Sequence, residues 1–442
     1  MIRAGAVLAH GVGGRQDLPI PLSFALTGAI VALLVSFIAL GALWRTPRLG
    51  VDGLANARPL PGPVQRIAGS AAWPWVWRVV GLLLAAYFLL ALLAGPDTDT
   101  NPAAGAVYVL FWVGLVPLSL LLGPVWRGLN PLRTLHLLAC RAVRRDPRRG
   151  RWPMPAGLGY WPAAVGLFAF VWLELVAPDR ATLPVLRLWL AGYAIFVMAG
   201  AIAFGSGWFA RGDAFEAYSS VLGRLAPIAR RRDGVLVWRN PLDGMARLRG
   251  APALTVFVVV LLGSTMYDSL SNAPVWVRFV QESGLPAPLV GTAGLVAVIG
   301  IVLAAYLAAT GMAGWLGGVR GVGPALAHAV VPIAAGYLVA HYFTLLVLEG
   351  QRTVALWADP MGIGANWLGT GTWAVQSLGM SPPGIAALQV TVIVIGHILG
   401  TVLAHDRALA LLPRATVLAG QIPLLVLMVV YTVLGLLLLF AA

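Results

Sequence analysis

Ten stretches of about 20 mostly apolar residues fill most of the chain. They centre near Leu33, Leu84, Val113, Phe168, Ala194, Val258, Ala297, Ala335, Val394 and Leu427. A bilayer core about 30 Å thick takes about 20 helical residues to cross, so each stretch is long enough to span. In lipid, backbone groups are satisfied only within a helix or a closed barrel. Barrel strands would alternate apolar and polar residues, and these runs do not. The expected fold is all-α: a polytopic transmembrane bundle of about ten helices over residues 22–442. No stretch between them reads as a separate soluble domain. A composition of 60% hydrophobic against 10% charged residues lies outside the range of soluble domains.

Charge sets the orientation. The sequence has no lysine, so all 30 basic residues are arginine. With both termini extracytoplasmic, the inner loops and helix ends hold 24 arginines and 7 acids, and the outer side 6 and 9. Positive residues favour the cytoplasmic side. The opposite orientation would put RRDPRRGR (Arg144 to Arg151) and RRRD (Arg230 to Asp233) outside. The reading is a multi-pass protein of a bacterial cytoplasmic (inner) membrane. The net charge of +14 then faces anionic lipid at the cytoplasmic face, not nucleic acid.

This orientation places the opening stretch, VLAHGVGGRQDLPIP, outside. Residues 1–21 read as a signal-peptide remnant and an extracytoplasmic tail: MIRAGAVLA has a basic residue, a short apolar run and a small-residue cleavage pattern. Cleavage after Ala9 would make His10 the mature N-terminal residue. Its amine and imidazole would then chelate one metal ion together. The plainer reading is a polar tail in which His10 is incidental.

A weak repeat marks the first half. GPVWRGLNPLRTLHLLACRAVRRD (Gly123 to Asp146) and GSGWFARGDAFEAYSSVLGRLAPIARRRD (Gly205 to Asp233) each place a tryptophan at a helix end, Trp126 and Trp208. Each then offers an N-cap, Asn130 or Asp213, to a short amphipathic run, read as an interfacial helix on the cytoplasmic leaflet. VWRNPLDGMARL (Val237 to Leu248) echoes the signal. The long outer loop from Glu349 to Gly384 carries Trp357, Trp367 and Trp373 among many glycines, as a lid or an interfacial loop would.

Ionisable residues within a membrane are functional candidates. His341 lies in the outer half of the eighth span, with Glu349 eight residues on. Asp268 ends the sixth span and Glu174 the fourth, both on the outer side. Together Glu174, Asp268 and Glu349 are candidate catalytic acids, and His10, His341 and Asp268 candidate ligands of copper, zinc or iron. Such a metal could activate water. Taken singly, each acid also reads as an interfacial carboxylate in water. In GHILGTVLAHDRA, Gly396, Gly400 and Ala404 form a close-packing face. His397, Thr401 and His405 fall on the adjacent stripe, so His397 and His405 are candidates for cofactor binding or a proton path. Pro332 and Gly336 permit a kink in the eighth span. Cys140, the single cysteine, excludes an intramolecular disulfide and a thiolate metal cluster. No nucleophile elbow, phosphate loop, H-E-x-x-H pair or dinucleotide fingerprint occurs.

AHGVGGRQDLPIP, GPVWRGLNP, GDAFEAYSSVLGRLAPI, WADPMGIGANW and GHILGTVLAHDRAL together resemble a family of bacterial polytopic membrane proteins, common in actinobacteria, known as fenitrothion hydrolase-like. The likeness is scattered from His10 to Leu409. It implies hydrolysis of an aryl organophosphorus triester by a system of two membrane components, hence a second membrane subunit. It also implies a signal peptide ending before the histidine of A-H-G, although the leader here is very short. It carries over no catalytic residues. Two functions follow as expectations: a metal-assisted hydrolase or oxidoreductase component with an outer-face site, or a transporter or metal-handling permease. A structural subunit of a membrane complex is a third.

Overall fold

The computed structural model describes residues 18–50, 54, 57–376 and 379–440. The proposed leader and His10 lie outside the described residues. Helix α1 (Leu22–Leu43) precedes strand β1 (Arg58–Pro59), α2 (Gly62–Gly69) and α3 (Trp73–Ala94). Helix α4 (Ala103–Leu122) contains a π-helical stretch over Ala106–Val113. Then come α5 (Trp126–Leu129), α6 (Pro131–Ala142), α7 (Trp161–Leu175), α8 (Leu183–Phe204), α9 (Phe209–Gly212) and α10 (Ala214–Leu222). Strands β2 (Ile228–Arg230) and β3 (Leu236–Trp238) lead to α11 (Pro241–Ala246), α12 (Pro252–Ser271), α13 (Pro274–Glu282) and α14 (Ala287–Gly317). The chain closes with α15 (Val322–Leu356), α16 (Pro382–Leu411) and α17 (Val417–Leu439).

Among the described residues, nine helices are long and apolar enough to cross a membrane: α1, α3, α4, α8, α12, α14, α15, α16 and α17. The chain is an all-α, polytopic integral membrane protein. All ten apolar stretches are helical, but the fourth differs. Helix α7 has 15 residues, which at 1.5 Å per residue gives about 22 Å, short of the hydrocarbon thickness. Its inner face, including Leu167, Phe170 and Glu174, is buried within protein, where full membrane length is not required.

Proline starts many of these helices. It stands in the first two positions of α3, α6, α7, α8, α12, α13, α14 and α16, where a missing N–H costs nothing and the fixed φ suits the first turn.

The chain divides into two compact units. Among the described residues, one comprises 57–239 and 345–376 and the other 18–50, 240–344 and 379–440. In the first unit α10 is central. It packs against α4, α5, α7 and α9, and its Phe215 lies 4.6 Å from Phe111 and 5.0 Å from Phe170. The second sequence repeat therefore departs from an interfacial position, because Phe215, Ala217, Tyr218 and Leu222 are all buried. Helix α6, by contrast, keeps Leu135 and Leu138 exposed beside buried Thr134 and His136, as an amphipathic helix does. A small sheet of order β1-β3-β2, with both pairings antiparallel, joins the loops of this unit. Strands this short carry no periodicity to read in the sequence.

In the second unit α12 is the most enclosed span and packs against α14 and α17. Helices α15 and α16 cross at glycine. A Cβ on Gly396 would lie 2.6 Å from the Pro332 carbonyl oxygen and 3.3 Å from the Gly336 Cα. A Cβ on Gly400 would lie 2.7 Å from the Ala329 oxygen. The small-residue stripe read from the sequence is thus a backbone-to-backbone contact, which in lipid gains its energy from close packing. Replacing Gly396 by Ala must push the two backbones apart, and a loss of about 1–3 kcal/mol is expected from such overpacking. At Gly192, where an added Cβ meets nothing within 4 Å, Ala should instead stabilise by about 0.5–1 kcal/mol. Thermal unfolding in mild detergent distinguishes the two.

Candidate functional site

The C-terminal end of α12 meets the middle of α15 in a buried chain of hydrogen bonds. His341 Nε2 lies 2.9 Å from Asp268 Oδ2, and the Tyr342 hydroxyl donates to the same oxygen at 2.8 Å. On the other side of the imidazole, Nδ1 lies 3.1 Å from the Ser269 hydroxyl. Ser269 in turn lies 2.8 Å from the Tyr337 hydroxyl. The Asn272 amide donates to Asp268 Oδ1 at 3.4 Å and to the Asp268 carbonyl at 2.8 Å. All five members of the chain, Tyr337, Ser269, His341, Asp268 and Tyr342, are buried.

Helical spacing creates this cluster. Tyr337 and His341 are one turn apart on α15 and share a face, with rings stacked at 6.1 Å. Asp268 and Ser269 are neighbours, so they reach opposite nitrogens of one ring. With the carboxylate ionised and the imidazole neutral, the directions are fixed: Tyr337 donates to Ser269, Ser269 to Nδ1, and Nε2–H to Asp268. A second proton on the ring turns Nδ1 into a donor and reverses the bond to Ser269.

The two histidines of α16 are also buried. His397 donates from Nδ1 to the Ile393 carbonyl at 2.8 Å, and its Nε2 has no partner among the described residues. His405 uses both nitrogens, Nδ1 with Gln421 Oε1 at 2.8 Å and Nε2 with the Trp44 carbonyl at 2.9 Å. Asp406 Oδ1 accepts from Trp44 Nε1 at 3.1 Å and from the backbone N–H of Arg48 and Leu49 at 2.6 and 3.2 Å. His405 and Asp406 are both buried. They anchor the segment after α1 to α16.

Of the sequence candidates, Asp268 and His341 come together. Glu174 and Glu349 belong to the other unit. Glu174 is buried at the end of α7 and is not a water-facing acid. Glu349 is half-buried and pairs with Arg352 at 3.5 Å. Among the described residues no group of three or more His, Cys, Asp or Glu is placed to hold a metal ion. His341 and Asp268 supply two of the three proposed donors, and His10 lies outside the described residues.

The first unit holds a second polar cluster, built by the sequence repeat. Helices α4 and α8 both end at a glycine, Gly123 with φ 89° and ψ −154°, and Gly205 with φ 76° and ψ −176°. That region is essentially closed to other residues. Each glycine is followed by a one-turn helix and then the predicted cap. Asn130 accepts from the Arg133 N–H, and Asp213 from the N–H groups of Phe215 and Glu216. The caps also bond each other: the Asn130 amide donates to Asp213 Oδ2 at 2.7 Å. The residues three positions past each cap pair in the same way, Arg133 gripping Glu216 with bonds of 2.8 and 2.7 Å. Both pairs are 83 residues apart in sequence. Tyr193 completes the cluster, donating to Asp213 at 2.7 Å. Burial pushes the Asp213 and Glu216 carboxyls above the ordinary range, and the donors from Tyr193 and Arg133 pull them back. No acid or base here is left open to a ligand, so the cluster reads as structural.

The loop after α15 is tied down at its start. Trp357 stacks on Tyr87 at 4.9 Å, and the Tyr87 hydroxyl donates to the Trp357 carbonyl at 2.6 Å. Trp367 and Trp373 remain exposed. No known protein family, no curated protein and no solved structure matches the chain.

Removing Arg133 would leave Glu216 buried without its cation. Arg133→Ala should therefore cost about 3–5 kcal/mol, whereas replacing both partners together, Arg133→Met with Glu216→Leu, should recover most of it. Thermal unfolding of the single and double variants checks both values.

Proposed function

We propose that the protein is a proton-linked membrane transporter whose coupling group is the Asp268–His341 pair. The observation that carries this reading is the buried carboxylate–imidazole contact of 2.9 Å between two spanning helices. Ionisable groups inside a membrane mark ion pathways and proton relays. The tyrosine–serine arm gives the imidazole a second hydrogen-bonded route for its proton. Because the Ser269 bond reverses with ring protonation, two states of the site differ in how α12 and α15 are joined. Pro332 interrupts the backbone ladder of α15, and such interruptions are common in helices that rearrange during transport. The host is the bacterial inner membrane, with termini outside and the arginine-rich loops on anionic cytoplasmic lipid, on the strength of the arginine bias. The test is a pH jump on proteoliposomes adsorbed to a solid-supported membrane. Wild type should give a transient displacement current that Asp268→Asn and His341→Gln lose while their unfolding temperatures stay near wild type. No current above protein-free vesicles would sink the proposal.

A second reading rests on a different aspect of the same residues. Ser269, His341 and Asp268 have the connectivity of a nucleophile, its base and the acid that orients the base. This agrees with the aryl phosphotriester hydrolysis that the fenitrothion hydrolase-like resemblance implies. A metal form of that reading would use His341 and Asp268 together with His10. The probe is a p-nitrophenyl phosphotriester given to the purified protein. A serine nucleophile predicts a burst of p-nitrophenol that Ser269→Ala abolishes. Turnover that survives Ser269→Ala but is lost to a chelator favours the metal form, and no release at all removes both.

A further inference from the structure

Helix α13 lies between two spans. It begins two residues beyond Asn272, which holds Asp268, and the chain re-enters a spanning helix at Ala287. At 100° per residue, Val275, Trp276, Val277, Phe279 and Val280 occupy an arc of about 200°. Arg278, Gln281 and Glu282 share the remainder.

Protein covers only the middle of that apolar arc. Trp276 meets Tyr267 edge-on at 5.7 Å. It also fills the space over Gly294, where an added Cβ would lie 2.3 Å from the indole. Both flanks of the arc are bare, with Val275 64% and Phe279 55% exposed on one side and Val277 40% on the other. The apolar surface continues through Leu285 and Leu289, both 57% exposed, to Val296 on the spanning part of α14.

We propose that α13 is a membrane-surface helix, with Val275, Phe279 and Val277 in the acyl-chain boundary and Arg278 and Gln281 in the head-group layer. The occupant of its bare flanks is the lipid bilayer. The argument is the succession of exposed apolar side chains from Val275 and Phe279 through Leu285 and Leu289 to Val296 on α14, a helix long and apolar enough to cross a membrane. An apolar arc wider than the packed face is the form of a helix lying in the interface plane. Trp276 pins it over Gly294, and Asn272 links its start to the Asp268 end of α12.

The test uses the full chain with Cys140→Ser, which removes its single cysteine. A spin label is attached at Val275→Cys, Phe279→Cys or Gln281→Cys in phosphatidylcholine–phosphatidylglycerol vesicles. All three sites are exposed; Phe279 also meets the Trp276 ring at 5.5 Å, so the label at 275, which has no such ring contact, is read first. Labels at 275 and 279 should be several-fold more accessible to oxygen, relative to a nickel chelate, than the label at 281. Equal access of the nickel chelate at all three sites would overturn the proposal by placing α13 in water. Protection of 275 and 279 from both reagents would overturn it by showing that protein, not lipid, covers them.

Discussion

A charge in a medium without water must carry its own solvation shell, and both units of this protein are organised around meeting that requirement. In one, the Asp268 carboxylate takes donors from His341, Tyr342 and Asn272. In the other, Asp213 takes donors from Asn130, Tyr193 and two backbone N–H groups. In each unit the donors come from more than one helix. The acids therefore fix which helices are neighbours, while apolar packing, which in lipid has no hydrophobic drive of its own, fills the space between.

The two clusters differ in what they leave available. Asp213 and Glu216 are matched by fixed partners, and the guanidinium cannot be deprotonated. The Asp268 chain consists of groups that exchange protons, with donor directions that depend on the charge of one imidazole. The first arrangement suits holding a fold, the second suits moving a proton.

Much of this was legible in the sequence. Apolar length located all ten helices, although it overstated α7, because a helix covered by protein need not match the bilayer. Capping chemistry located Asn130 and Asp213, since the residue type and the following run are local. The glycine stripe on α16 was legible for the same reason. His341 and Asp268 are grouped correctly from the sequence, but together with Glu174 and Glu349, which fall in the other unit, because a side chain's depth can be read locally and its full set of partners cannot. Ser269, Tyr337 and Tyr342 went unnamed, yet a signal existed: a tyrosine one turn before His341, another beside it, and a serine beside the acid. Arg133 and Glu216 could have been found by overlaying the two repeats, where they occupy the same position with opposite charge. The sheet had no signal, and the burial of α10 followed from tertiary packing alone.

Between the two repeats, cap meets cap and third residue meets third residue, so equivalent positions touch each other, as residues on the axis of a symmetric dimer would. Two identical chains meeting in this way would set arginine against arginine, or glutamate against glutamate, in a buried place. A chain that carries both repeats is free of that restriction: one repeat holds the cation Arg133 and the other the anion Glu216. Carrying both repeats in one chain thus turns a self-repelling contact into an attractive one.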